Sequence, residues 1–223
     1  MFLRKEIEMV YILQYNDTHY DARRRTRMNF LEARIQRDGH ALDGNILLVD
    51  SFLNHQIDMQ LMKQIGEAFA QRFKNAGVTR VMTVESSGIA PAGMAAYLLG
   101  VPLVVLKKRI SRITNGNVYQ TNVQSFTKNT QYEMTVSKSF LPEGECILFI
   151  DDFLAMGEAA LGACKIIKNA KCTLAGIGIV IEKTFQPGRN RLDEEGLLVY
   201  SLARIQSMSP DKVVFSHSDM PEA

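Results

Sequence analysis

This chain lacks the patterns of a membrane protein and of a disulfide-stabilised protein. Its 223 residues include no tryptophan and three cysteines, and no apolar run is long enough for a transmembrane helix. Cys146, Cys164 and Cys172 have neither metal-ligand spacing nor the pattern of a disulfide framework. Because Cys146 falls in an apolar strand pattern and Cys164 in an apolar helix pattern, we expect buried thiols. A reducing cytoplasm is therefore the predicted location.

An excess of charge is also missing from most of the chain. Residues 1–27 contain six of the 26 basic and four of the 24 acidic side chains, so the rest of the chain is neutral. A neutral body argues against a nucleic-acid surface. Residues 1–27 have no secretory apolar core and no sustained period, and they end in the basic cluster RRRTR. We expect a disordered tail or an upstream sequence before a start at Met28, with a basic arm as the alternative.

The pattern around which the chain is organised is CILFIDDFLAMGEAA, at residues 146–160. Residues 147–150 form a short unbroken apolar run, which is typical of a strand buried on both faces of a parallel sheet. Two carboxylates, Asp151 and Asp152, come directly after it. Small residues and a helix-forming run from Glu158 follow. The order is therefore strand, acidic pair, tight turn and helix start.

This order predicts a sugar-phosphate site. Open α/β sheets bind ligands at the carboxyl ends of their strands. The start of a helix offers unpaired N–H groups that suit a phosphate, and carboxylates accept hydrogen bonds from ribose hydroxyls. An acidic loop with a helix cap and no ligand is the plain alternative for the acidic pair taken alone.

A second strand also runs into small residues and then a helix. The strand at residues 80–85 leads into ESSGIAPA, and a helix is predicted from Pro91 to Leu99. Small residues allow the backbone to approach a pyrophosphate closely. A third strand, at residues 101–106, ends in the basic run KKR, which is either an electrostatic partner for a pyrophosphate or a solvated run. Residues 110–118 are polar and turn-prone, and we expect a mobile loop there.

The remaining periodicities complete an α/β fold with a mostly parallel central sheet. A GIG run at residues 176–178 is no dinucleotide motif, because Ile181 occupies the place of the third glycine. No repeat or linker divides residues 28–223, which we expect to form one domain. The predicted helices are residues 31–37, 57–75, 157–169 and 189–195, and the further strands are residues 46–49, 132–137, 172–182, 197–205 and 213–215.

These motifs together resemble type I purine phosphoribosyltransferases, which use phosphoribosyl pyrophosphate (PRPP). The DDFLA run, SFTK at residues 125–128, EKTFQPGR at residues 182–189 and DSFLNHQID at residues 50–58 are similar to the xanthine branch of that family. The resemblance covers residues 28–216. It implies a small hood built from both chain ends, a flexible loop that closes over the site, and a homodimer.

The reaction that the resemblance implies joins a purine, with xanthine favoured, to the phosphoribosyl group of PRPP and releases pyrophosphate. Magnesium would be held largely by PRPP oxygens and waters, with no protein ligand assigned. Guanine or hypoxanthine as the base is one alternative. A PRPP-sensing regulator is another, although residues 1–27 are too short for a helix-turn-helix.

The resemblance also assigns roles to individual residues of this chain. Asp151 and Asp152 would hold the ribose hydroxyls as the catalytic pair. The 5′-phosphate would be held by Ala155, Met156, Gly157, Glu158 and Ala159. The rest of PRPP would be held by Ser86, Ser87, Gly88, Lys107 and Lys108, and the purine would contact Leu47, Asn54, Lys183 and Phe185.

Two positions depart from the pattern of the family. Asn or Thr is usual where Met156 stands, and Gln or Gly where Glu158 stands. The backbone N–H groups survive both changes. A side-chain donor is lost at Met156, however, and Glu158 adds a carboxylate near the expected phosphate, so we expect weaker PRPP binding.

Overall fold

The computed structural model describes residues 28–42, 46–109, 117–125, 130–210 and 212–216. The expected tail, most of the expected mobile loop and most of the SFTK run lie outside these ranges. The helices are α1 (Phe30–Asp38), α2 (Met59–Phe73), α3 (Ile89–Leu99), α4 (Glu158–Asn169) and α5 (Gly188–Glu194), with a π-helical turn at Asp50–Asn54. The strands are β1 (His40–Leu42), β2 (Ile46–Leu48), β3 (Arg80–Val84), β4 (Leu103–Arg109), β5 (Val118–Ser125), β6 (Thr130–Ser137), β7 (Cys146–Leu154), β8 (Thr173–Lys183), β9 (Val199–Ser209) and β10 (Lys212–Phe215).

Most of these strands form one sheet in the order β10-β9-β8-β7-β3-β4-β6-β5. The strands from β9 to β4 in this order are mutually parallel, whereas β10 at one edge and β6 and β5 at the other pair antiparallel. The predicted α/β fold with a mostly parallel central sheet is confirmed. No helix in the described ranges is long and apolar enough to cross a membrane.

The middle of β7 is buried on both faces, as the apolar run predicts. Leu148 and Ile150 pack with α2 and α3 on one face. Ile147 and Phe149 pack with α4 on the other face. Alternate side chains of a strand point to opposite faces, so the four-residue run joins both halves of the hydrophobic core.

Several predicted boundaries are wrong, including the start of α3, which lies at Ile89 rather than at Pro91. At two of them the reason is pairing or capping. The strand β7 does not end before the acidic pair but continues to Leu154, since β8 pairs with it through Asp151, Phe153 and Leu154. The helix α2 begins at Met59 rather than at Ile57. The Asp58 side chain accepts the N–H groups of Gln60 and Leu61 and caps the helix there.

The strand β4 is also longer than predicted. Its last residues, Lys107 to Arg109, pair with β6. The basic run is therefore part of the sheet and does not follow it.

The hood consists of α1, the β1–β2 hairpin and the π-helical turn. The helix α1 starts with a capping box between Asn29 and Glu32. The Asn29 amide also donates to the Leu202 carbonyl of β9 over 2.7 Å. Arg34 joins the hood to α2 through an ion pair with Asp58.

The prediction of buried thiols is wrong in degree. All three cysteines are partly exposed, and none of them is in a disulfide. Cys164 lies on α4, where burial raises the pKa of its thiol to about 11, with Glu195 adding to the shift. The partial burial of Cys164 thus favours its neutral thiol.

Candidate active site

A cavity of about 500 Å³ opens at the carboxyl ends of β3, β4 and β7. Parallel strands bring these ends to one edge of the sheet, so residues far apart in the chain meet there. Most of the residues that line the cavity belong to the predicted loops. They are Val84, Glu85, Ser86, Ser87, Lys108, Asp151, Asp152 and Ala159.

The acidic pair lies at the end of the buried part of β7. The Asp151 side chain is nearly covered, and the N–H of Asp152 donates to its Oδ1 over 3.1 Å. Burial raises the pKa of Asp151 well above its usual range, and the charge of Asp152 raises it further, although Lys108 opposes the shift. The pair therefore keeps a proton more readily than two exposed carboxylates would.

Glu85 connects the predicted pyrophosphate loop, which follows β3 at residues 86–88, to the end of β4. Its carboxylate accepts from Lys107 Nζ over 3.0 Å and from the N–H of Lys108 over 2.6 Å. Burial raises the pKa of Glu85, but these hydrogen bonds outweigh burial and the pKa is lowered. The two predicted lysines consequently differ. Lys107 is paired with Glu85, whereas the side chain of Lys108 lines the cavity.

Gly88 stands where no side chain fits. A Cβ there would lie 2.2 Å from Thr83 Oγ1 and 3.1 Å from Asp151 Oδ1. The pyrophosphate loop and the acidic pair are thus packed directly against each other. Thr83 Oγ1 is buried and has no hydrogen-bond partner among the described residues.

The predicted phosphate loop, residues 155–159, packs against the start of α5. Gly157 has a φ of +82°, which favours glycine, and a Cβ there would lie 3.2 Å from Gly188 Cα. The N–H of Gly188 donates to the Ala155 carbonyl over 2.9 Å. The carboxylate of Glu158 is paired with Arg191 over 2.6 Å. The added negative charge at this departure is therefore balanced, although the sequence shows no sign of its partner.

Tyr132 is a site neighbour that no motif indicates. It lies half-buried on β6, and Lys108 Nζ stands 5.5 Å from the centroid of its ring. Burial raises the pKa of the Tyr132 phenol to about 12, and the charges of Asp151 and Glu158 add to the shift. Its hydroxyl therefore stays protonated beside the acidic groups.

Comparison with known proteins decides the family. The phosphoribosyl transferase domain family matches residues 49–197. The chain is 54% identical over 188 residues to xanthine phosphoribosyltransferase 1 of Clostridium botulinum strain Hall, covering 84% of this chain and 99% of that protein. It is 52% identical to xanthine phosphoribosyltransferase of Agathobacter rectalis, covering 84% and 98%. The chain belongs to the phosphoribosyltransferase family. The resemblance to the xanthine branch is confirmed, and the protein is an enzyme of the pentosyltransferase type.

Solved structures agree on the fold of this phosphoribosyltransferase. An adenine phosphoribosyltransferase from Giardia lamblia, complexed with 9-deazaadenine, superposes with a TM-score of 0.69 at 19% identity, covering 82% of this chain and all of that one. One from Thermoanaerobacter pseudethanolicus gives a TM-score of 0.66 at 21% identity, covering 78% and 99%. At these identities the likeness shows the type I fold alone.

The four predicted purine contacts of this phosphoribosyltransferase are not among the residues that line the cavity. Leu47 is buried in the hydrophobic core that the hood shares with α2, α3 and the central sheet. Asn54 ends the π-helical turn, and its Oδ1 is buried without a hydrogen-bond partner within the described ranges. Lys183 ends β8, with Nζ 5.3 Å from the centroid of the Phe153 ring, and Phe185 is 37% exposed.

Lys183 directly follows Glu182, which belongs to a buried network on β8. Burial lowers the pKa of Lys183. The preceding residue, Glu182, is fully buried and accepts hydrogen bonds from Arg189 and from Ser201. Burial raises the pKa of Glu182, but these partners outweigh it and the pKa is lowered. Phe153, whose ring faces Lys183, is a neighbour that the sequence analysis does not single out.

Proposed function

We propose that this enzyme transfers the 5-phosphoribosyl group from PRPP to xanthine, giving xanthosine 5′-monophosphate and pyrophosphate. The observation that carries the proposal is the cavity itself. It places the acidic pair, the pyrophosphate loop and the first turn of α4 around one space of about 500 Å³. These are the three kinds of group that the ribose hydroxyls, the pyrophosphate and the 5′-phosphate of PRPP require. The names of the curated relatives support xanthine as the base.

PRPP then lies across the carboxyl edge of the sheet. Its 5′-phosphate binds residues 155–159, and its pyrophosphate binds Ser86, Ser87 and Gly88 with Lys108. The ribose hydroxyls bind Asp151 and Asp152. This arrangement orients the anomeric carbon toward the purine and its bond to pyrophosphate toward the lysine.

The reaction is a displacement at the anomeric carbon. A purine nitrogen forms the new bond while the bond to the pyrophosphate oxygen breaks. The electron pair leaves with pyrophosphate, and the purine releases its N–H proton to solvent. Positive charge develops on the ribose in a transition state like an oxocarbenium ion. The carboxylates of Asp151 and Asp152 stabilise this charge, and Lys108 stabilises the charge on the leaving group.

Magnesium fits this site as a companion of PRPP. No group of three or more His, Cys, Asp or Glu side chains is placed to hold a metal ion in the part of the chain that the structure describes. The carboxylates that line the cavity, Glu85, Asp151 and Asp152, suit a cation that keeps its waters and binds mainly to substrate oxygens. The ion would neutralise the departing pyrophosphate.

The proposed purine contacts favour a purine that carries both N–H and exocyclic oxygen groups. The buried Oδ1 of Asn54 is an acceptor that lacks a partner in the described part of the chain, and a purine N–H would satisfy it. The ammonium of Lys183 would donate to an exocyclic oxygen, with Leu47 and Phe185 lining the pocket. Xanthine has two such oxygens.

The test is nucleotide formation from PRPP and magnesium with xanthine, guanine and hypoxanthine measured in parallel. Xanthine is expected to give the highest kcat/KM, because it alone of the three bases carries a second exocyclic oxygen and the curated relatives are named for it. A higher value with guanine or hypoxanthine would contradict the choice of base. No product with any base, while PRPP still binds, would contradict the transferase and favour a sensor.

The assembly and location follow from the same family resemblance. We propose one domain over residues 28–223 that works as a homodimer in the cytoplasm, without nucleic-acid or membrane partners. Sedimentation should then give twice the mass of the 25.1 kDa chain. The mass of a single chain at working concentrations would contradict the dimer.

A further inference from the structure

The phosphate loop is held on one side by α5. The N–H of Gly188 donates to the carbonyl of Ala155 over 2.9 Å. Arg191 Nη1 donates to the carbonyl of Met156 over 2.6 Å. Two consecutive carbonyls of the loop therefore point toward α5.

This contact sets the direction of the backbone donors. The peptide bonds that follow Ala155 and Met156 are trans, and in a trans peptide the N–H points opposite to the carbonyl. The N–H groups of Met156 and Gly157 consequently point away from α5. They directly precede the first N–H groups of α4, and together these groups form a set of donors for a phosphate.

The guanidinium of Arg191 also pairs with the carboxylate of Glu158, one of the two residues that depart from the family pattern. Arg191 Nη1 lies 2.6 Å from Glu158 Oε1, and the two side chains are 35% and 24% exposed. Glu158 is the first residue of α4, where an unpaired carboxylate would repel the phosphate. Paired with Arg191, the carboxylate stays on the α5 side of the loop.

The short helix that carries Arg191 is itself anchored. Arg189 donates to both carboxylate oxygens of the buried Glu182 and, over 2.9 Å, to the carbonyl of Val199. A Cβ on Gly188 would lie 2.4 Å from the Ala155 oxygen, so the helix start lies against the loop. The anchored helix α5 therefore holds Arg191 beside the phosphate loop.

We infer that Arg191 is a positioning residue of the 5′-phosphate subsite. It holds the Met156 carbonyl and the Glu158 carboxylate on the α5 side, so that the backbone N–H groups face the phosphate. The inference rests on the proposed function of residues 155–159, and it gives Arg191 a role that lies outside every motif.

The experiment measures steady-state kinetics and the binding of ribose 5-phosphate, by calorimetry, for Arg191→Ala, Glu158→Gln and the double variant. Arg191→Ala should raise the KM for PRPP at least tenfold, with kcat and the KM for xanthine changed less. The KM for PRPP of the double variant should be at least threefold lower than that of Arg191→Ala, because no unpaired carboxylate remains. Binding of ribose 5-phosphate should weaken and recover in parallel. Should Arg191→Ala fail to fold, Arg191→Lys, which keeps the charge without the fork, replaces it with the same expected direction.

The matched control is Arg80→Ala, which breaks the Arg80–Glu145 pair of 2.9 Å at the opposite end of β3. It should leave the KM for PRPP unchanged, even if the melting temperature falls. A KM for Arg191→Ala within twofold of the native value, or a double variant no better than the single one, would overturn the inference. If native protein binds ribose 5-phosphate but forms no nucleotide, the proposed function fails, and the binding comparison still decides the role of Arg191.

Discussion

Gly88 is a site residue at which even one added methyl group would overlap a neighbouring atom. A methyl group there would overlap Thr83 Oγ1, which is itself buried, and would approach Asp151. Relief of this overlap must move the pyrophosphate loop or the acidic pair. Packing at one atom therefore connects two parts of the site that are distant in sequence.

Gly88→Ala should reduce kcat/KM for PRPP by about 10²-fold, since displacements of about 1 Å in a site have this effect. Unfolding should become easier by roughly 1–3 kcal/mol. The matched control is Gly93→Ala in α3, where the added Cβ meets only Leu103 at 3.8 Å. Steady-state kinetics and chemical denaturation of both variants check the prediction, and equal effects at the two glycines would contradict it.

Asp151 is held in the folded protein at a cost in stability. Because its pKa is raised in the folded state, the native protein binds this proton more tightly than the unfolded chain. Stability is therefore lost as the pH rises above the unfolded pKa, about 3.9, toward the raised value.

Asp151→Asn should be more stable than the native protein at neutral pH by roughly 0.5–2 kcal/mol, while transferase activity is lost. The difference in stability should vanish below about pH 4, where the Asp151 carboxyl is protonated in both the folded and the unfolded protein. Urea denaturation between pH 3.5 and pH 8 measures it. A stability difference that does not change with pH would show that the charge of Asp151 is not the cause.

Met156 tests whether the departures from the family pattern weaken the phosphate loop. Met156→Asn restores a side-chain donor while Arg191 continues to hold the backbone carbonyl, which any residue supplies. The KM for PRPP should fall. An unchanged or higher KM would mean that backbone donors alone determine binding at this loop.

Among the elements, α5 and the end of β8 connect Lys183, a proposed purine contact, to the proposed phosphate loop. Glu182 is fully buried and bound by Arg189, and α5 carries Arg191 to the phosphate loop. Because the pKa of Glu182 is lowered in the folded state, its contribution is present above the unfolded pKa, about 4.3. That contribution is lost as the pH falls through the folded pKa.

Glu182→Gln should lower the free energy of unfolding at neutral pH by roughly 3–5 kcal/mol, because it removes the fully buried charge that pairs with the largely covered guanidinium of Arg189. Glu143→Gln is the matched control. It removes one partner of the exposed Lys171–Glu143 pair and should change the free energy of unfolding far less. Denaturation at neutral pH compares them, and a similar small effect for both would contradict the buried network.

The interiors of the elements could be predicted from the sequence, but only some of their ends, such as the end of α3 at Leu99, could be. The apolar run at residues 147–150 predicts β7, because burial on both faces needs only that run. Its extension through the acidic pair depends on pairing with β8, which no local pattern contains. The start of α2 depends in the same way on which nearby polar side chain accepts the first N–H groups.

For the site, motifs predict the loops that meet at one sheet edge, because the order of strands and helices fixes that edge. Tyr132 and Arg191 reach the site by tertiary contact and lie in no motif, whereas Phe153 lies in the DDFLA run but meets Lys183 only through tertiary packing. Arg191 lies 33 positions from the carboxylate that it pairs with. Such partners become visible only when the packing of the strands is known.

For the whole molecule, we propose that one cavity transfers the phosphoribosyl group of PRPP intact to xanthine. Phosphorus NMR of the enzyme with PRPP, magnesium and xanthine tests this proposal, because it follows every phosphate at once. We expect the PRPP signals to be replaced by those of xanthosine monophosphate and pyrophosphate in equal amounts, and only when xanthine is present. Pyrophosphate without nucleotide, or unchanged PRPP, would contradict it.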